Sequence, residues 1–147
     1  MSTPRYHLDS NVLVRFFTGQ PSGMFSAATA LIRRAGAGEV ILELCPLVLA
    51  ETAFTLESFY QHPREKVAAT LVEFIRRSGV RLAEKELILD ALDRVQRSGV
   101  HLVDAYLAAS ASQTKIPVAS FDTDLDRFKD IERFEPPCEE SENEVDS

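Results

Sequence analysis

Hydrophobic positions along this chain change period again and again. Short apolar or alternating runs give way to longer stretches with apolar residues at every third or fourth place. "RYHLD" reads as a short strand, and "SNVLVRFF" continues it as a helix behind Asp9. After Pro21 and Ser22, "GMFSAATALIRRAG" puts Phe25, Ala28, Leu31, Ile32 and Ala35 on one helical face, ended by Gly36 and Gly38. "EVILEL" is a buried strand, after which Pro46 opens a helix to about Tyr60. Pro63 opens another, with Val67, Ala68, Leu71, Val72 and Ile75 facing inward. "VRLA" is extended; "EKELILDALDRVQRS" is helical, with Leu87, Ile88, Ala91, Leu92 and Val95 as its stripe. A further helix covers about Val103 to Thr114, "IPVASF" is a strand, and "IERFE" a last edge strand.

Strands alternating with helices predict an α/β fold with a parallel sheet and helices on both faces. The length, 147 residues, fits one domain. The charge refines that picture. Of the formal −7, six acids fall in "EPPCEESENEVDS" (135–147), which has no Lys or Arg. The body, 1–134, keeps 16 basic against 17 acidic residues. The chain therefore divides into a nearly neutral domain, 1–134, and an acidic tail expected to be disordered. No run approaches the ~20 apolar residues of a membrane span, and "MSTPRYH" has no signal-peptide anatomy, so the expected compartment is the cytoplasm. Cys45, in an apolar run, is expected to be a small buried hydrophobe, and no bridge to Cys138 is expected.

In parallel sheets ligands collect beyond the carboxyl ends of the strands. Asp9 and Asp122 both end strands, though each is also a natural helix cap. Glu51 has Leu47, Val48, Phe54 and Thr55 at helical spacing, which places it on a largely apolar face; such a glutamate needs a cation or a buried arginine, Arg15 being a candidate. Asp104 opens the helix "VDAYLAASAS" among apolar neighbours, again as cap or as site. If the four converge, two carboxylates 4 Å apart repel by roughly 4 kcal/mol at an effective dielectric of 20. A divalent cation would relieve that, and an all-oxygen donor set suits Mg²⁺ or Mn²⁺. "DTDLD" (122–126) imitates half an EF-hand but has Arg127 and Arg133 where Gly and Glu belong. Neither a phosphate-binding glycine loop nor a nucleophile triad is present.

The ordered set "LDSNVLVRFF", "LVLAETAFTLESFY", "HLVDAYLAASA" and "VASFDTDLDRF" resembles the PIN-domain ribonucleases, and within them the VapC toxins of toxin–antitoxin pairs. The resemblance covers most of 6–134. It implies a three-layer α/β/α sandwich with a central parallel sheet of four to five strands. It also implies a metal-dependent endoribonuclease that leaves 5′-phosphate and 3′-hydroxyl ends. Asp9, Glu51, Asp104 and Asp122 match the family's acids, with Asp9, Asp104 and Asp122 expected at the metal and Glu51 at a second ion or a water. Ser10 and Asn11 match the polar residues that orient them, and Asp124 a supporting acid. Arg15 and Arg127 are the best-placed candidates for RNA contact. Implied partners are structured RNA (tRNA or rRNA), a VapB-like antitoxin and a second copy of the chain. "FTLESFY" is expected either to pack in the core or to form part of such a surface. The competing readings are a binding module with a structural metal and a processing nuclease without an antitoxin.

Overall fold

The computed structural model describes residues 2–139. Strand β1 (Arg5–His7) runs to Asp9, whose backbone is still extended (φ −89°, ψ 153°), and helix α1 (Ser10–Thr18) starts there. Gly19, at φ +75°, closes α1 with a bond from its N–H to the Arg15 carbonyl. Helix α2 (Ser22–Gly36) buries Ala28, Ile32 and Ala35, three of the five residues on its expected stripe. Then come β2 (Ile41–Leu44), α3 (Pro46–Ser58), α4 (Arg64–Ile75), β3 (Val80–Leu82), α5 (Lys85–Ser98) and α6 (Leu102–Thr114). The chain continues through β4 (Val118–Ala119), a 3-10 turn (Thr123–Arg127) and β5 (Arg133–Phe134). Among the described residues no helix is long and apolar enough to cross a membrane.

The α/β sandwich is as expected, but its sheet is smaller. Strands β1, β2 and β3 form one parallel ladder in that order, with Tyr6 opposite Leu42 and Leu42 opposite Val80. Strands β4 and β5 form a separate parallel pair, Val118 opposite Arg133. Local chemistry explains why "IPVASF" yields only two strand residues. Pro117 has no N–H to give to a ladder. Beyond Ala119 the backbone turns, with the Asp122 N–H donating to Ser120 Oγ and the Asp124 N–H to Asp122 Oδ1.

The core gathers Leu42, Leu49, Leu71, Phe74, Ile75 and Leu92, each essentially without solvent contact. Where the chain enters β3, Gly79 sits at φ +85° against the end of α2, and a Cβ there would lie 2.3 Å from the Ala35 carbonyl oxygen. Only glycine fits both constraints. One charged side chain is also inside: Arg94 on α5 is 5% exposed and bonds to Asp90 and Asp130.

Two expectations are corrected. Cys45 is exposed; strand β2 turns Leu42 and Leu44 inward, and Cys45 follows at its exit as the extended residue before α3. Helix α3 buries Leu49, Thr52, Ala53 and Leu56, so Leu47 (79% exposed) and Phe54 (68%) are on its outer side. Phe59 is likewise exposed, while Tyr60 is half-buried against its ring, 5.1 Å between centroids. Of the expected tail, residues 140–147 lie outside the described residues, and 135–139 carry no helix or strand.

Candidate active site

Asp9 is both a cap and a candidate ligand. One carboxylate oxygen accepts the Ser10 N–H at 2.9 Å, and the other accepts the Asn11 side-chain amide at 3.2 Å. Each oxygen keeps lone-pair capacity, and the side chain is exposed. Ser10 is buried, and its hydroxyl donates to Glu51 Oε1 at 2.5 Å, across 41 residues of chain. One serine thus fixes two acids: its backbone holds Asp9 and its side chain holds Glu51. Strands β1 and β2 are parallel neighbours, so α1 and α3 both start at the carboxyl edge of the sheet. Glu51 is therefore not a core residue. It is exposed, and its partner is Ser10, not Arg15.

A second set of acids comes from the other end of the chain. Asp104 is in the first turn of α6, whose cap position is held by His101, so Asp104 is not the cap. It is half-buried. Burial pushes its carboxyl above the ordinary range and the Asp122 charge pushes the same way; His101 pulls down, Asp124 adds upward and Arg64 opposes. Asp122 caps the 3-10 turn by accepting the Asp124 N–H at 2.8 Å, and it is exposed. Asp104, Asp122 and Asp124 are thus close enough to repel.

The acids lie in these two sets, Asp9 with Glu51 and Asp104 with Asp122 and Asp124. Among the described residues no three His, Cys, Asp or Glu side chains stand close enough together to hold an ion by themselves. The donors nevertheless fit a hard divalent cation. All are carboxylate oxygens, none is locked in a salt bridge except the 3.6 Å contact of Asp124 with Arg127, and the crowding at Asp104 is the kind a cation relieves.

Of the candidate RNA contacts, Arg15 lines a groove of about 420 Å³ between α1 and α2, next to Asn11. Arg127 is exposed and donates from Nη1 to the Ser98 carbonyl at 2.6 Å. Arg64 and His101 stand near Asp104, and no motif in the sequence marks either of them as part of the site. Arg64 bonds to Glu57, the Gly99 carbonyl and the His101 ring. Nothing in local spacing marks a partner 35 residues away.

The family described as PIN domain matches residues 6–131 of this chain. No curated protein matches it.

Proposed function

This chain belongs to the PIN domain family, and we propose that it is a divalent-metal-dependent endoribonuclease acting as the toxin of a toxin–antitoxin pair. PIN domains are in general nucleases. The observation that carries the reading is the Ser10 bridge, which holds Asp9 and Glu51 together from separate elements while leaving both carboxylates open to solvent.

A Mg²⁺ or Mn²⁺ ion reached by Asp9 from one set and by Asp104 and Asp122 from the other, in part through water, would supply the charge that activates water and steadies a departing oxygen, with Glu51 available on the Asp9 side. The chain's own residues do the rest. Ser10 and Asn11 orient the Asp9 carboxylate, which reduces the rotamer freedom lost on binding. The Ser10 hydroxyl does the same for Glu51. Asp122 sets the turn that brings Asp124 toward Asp104. Arg15 offers a positive charge along the adjoining groove for a phosphate.

The direct test is cleavage of end-labelled structured RNA by the purified protein. We expect products with 5′-phosphates in Mg²⁺ or Mn²⁺ and none in EDTA, with the fold intact in both. Mn²⁺ should also raise the melting temperature, and no shift up to ~10 mM would count against the metal. Inactivity on tRNA and rRNA alike would sink the ribonuclease. Growth arrest on induction, relieved by a co-expressed antitoxin, tests the toxin role.

A homodimer belongs to the same proposal. Leu47, Phe54 and Val103 (61% exposed) stand on one outer face of α3 and α6, beside a largely apolar groove of about 450 Å³ lined by Leu47, Ile88, Leu102 and Tyr106. An exposed patch of this kind favours a protein partner. Light scattering is expected to give a dimer for the wild type and a folded monomer for Phe54→Asp. A monomeric wild type at tens of micromolar would exclude it.

A further inference from the structure

Asp104 hangs from a short connector. Helix α5 stops at Gly99 (φ +75°), α6 begins at Leu102, and His101 makes no side-chain bond to cap it. The connector is held at its two ends by the Gly99 N–H bond to the Val95 carbonyl and the Ala105 N–H bond to the His101 carbonyl, with the Val100 side chain buried between them and the Ser98 hydroxyl bonded to the Arg94 carbonyl. Two arginines from other elements add bonds to the Ser98 and Gly99 carbonyls.

Arg64, the first residue of α4, donates from Nη1 to the Gly99 carbonyl at 2.6 Å, and its Nη2 lies 3.1 Å from His101 Nε2. Its Nε donates to Glu57 at 2.8 Å, on the same helix as Glu51. Arg127, the last residue of the 3-10 turn, donates to the Ser98 carbonyl at 2.6 Å, with its Nη2 3.6 Å from Asp124. With one hand Arg64 therefore grips the connector before Asp104, at Gly99, and Arg127 the last residue of α5, Ser98. With the other each holds an element that carries another acid of the site: Glu51 on α3, or Asp122 and Asp124 at the turn.

We infer that Arg64 and Arg127 are positioning residues, a brace that sets the start of α6, and with it Asp104, against the acids on α3 and on the turn. The inference rests on the nuclease reading of those acids. Arg64 suits the role better than that of an RNA ligand, because all three of its nitrogens are already engaged and its side chain is only 30% exposed. A planar fork is what meets a carboxylate, a carbonyl and an imidazole at once; a lysine ammonium keeps the charge but cannot span them.

The test uses the full chain with Arg64→Lys and Arg127→Lys, singly and together, and Glu57→Gln as a milder variant. Three quantities are read: kcat and KM on RNA, the salt dependence of KM, and the Mn²⁺ concentration that half-saturates the rise in melting temperature. Each arginine variant is expected to lose between about 10- and 100-fold in kcat, the scale on which ångström misplacement acts. KM and its salt dependence should hold, and the Mn²⁺ midpoint should rise. If the arginines instead bind phosphate, KM rises and the salt slope falls by about one per residue, with kcat and the Mn²⁺ midpoint kept; the brace is then wrong. A lower melting temperature with wild-type kcat and Mn²⁺ midpoint overturns it too, as a merely structural role. If the wild type cleaves RNA and the lysine variants match it, the brace alone fails, whereas a wild type that cleaves nothing removes the nuclease reading and the brace with it.

Discussion

Asp104→Asn is expected to remove RNA cleavage while leaving the protein at least as stable as the wild type. Replacing a residue that merely orients a metal ligand typically costs 10–100-fold, so loss of a ligand itself should cost at least ~100-fold. The stability half follows from the electrostatics. Burial, and the charges of Asp122 and Asp124, hold the Asp104 carboxyl above its ordinary range. A group whose folded pKa is raised binds its proton more tightly in the folded state. Above the unfolded value of ~3.9, ionised Asp104 therefore weakens the fold, and a neutral isostere lifts that burden at pH 7. Activity and stability should move in opposite directions, as they do where a site holds like charges together for function. Asp93→Asn is the control, since that acid only pairs with Arg97 on the exposed side of α5. Thermal melting at pH 7 beside RNA cleavage decides the matter. A variant that is both active and unchanged in stability would remove Asp104 from the site.

How much of this was readable beforehand depends on the range of the interaction. Elements set by local periodicity and turn chemistry fall where the spacing puts them; of the expected α5 stripe, Ile88, Ala91, Leu92 and Val95 are buried and Leu87 is partly buried against the core. The cap role of Asp9 follows from its place between a strand and a helix, and the same place makes it a candidate site acid. For Glu51 the helical spacing misleads. Helix α3 has Leu47, Val48, Leu49, Ala53, Phe54 and Leu56 on several sides, so no apolar stripe points to one buried face. The structure puts Leu49, Ala53 and Leu56 inside and Leu47 and Phe54 outside, which leaves Glu51 exposed. Propensity extends a strand through "IPVASF", whereas Pro117 and the Ser120–Asp122 turn cut it to two residues, which is why the sheet is smaller than expected. The bonds of Arg64 to Gly99, Arg94 to Asp130 and Arg127 to Ser98 are out of reach of any local pattern, since each spans 29 to 36 residues.

The buried arginine should make its half-exposed partner unexpectedly costly to remove. Arg94 Nη1 and Nη2 reach both oxygens of Asp130, at 3.0 and 2.5 Å, while Nε reaches Asp90 at 3.0 Å and the guanidinium lies over the Phe128 ring, 5.2 Å from its centroid. The bidentate bond to Arg94 holds the Asp130 carboxyl well below the usual carboxylate range. Asp130→Ala strands a guanidinium that is 5% exposed with Asp90 alone. Breaking a buried pair costs about 3–5 kcal/mol; the 46% exposure of the Asp130 side chain and the remaining Asp90 bond discount that to about 2 kcal/mol. For a chain of this size that is a fall of roughly 4–8 °C in melting temperature. Arg94→Met should cost less, because it leaves Asp130 to water and puts an apolar chain beside Phe128. The pH dependence follows from the depressed pKa. The Asp130 contribution is complete above the unfolded value of ~3.9 and is lost as pH falls below it toward the folded value, where the unfolded chain takes up the proton first. Wild-type melting temperature should therefore drop more steeply below about pH 4 than that of Asp130→Ala, and the two curves should converge in acid. Parallel curves, or a larger loss in Arg94→Met than in Asp130→Ala, would show that the stranded charge is not what the fold responds to.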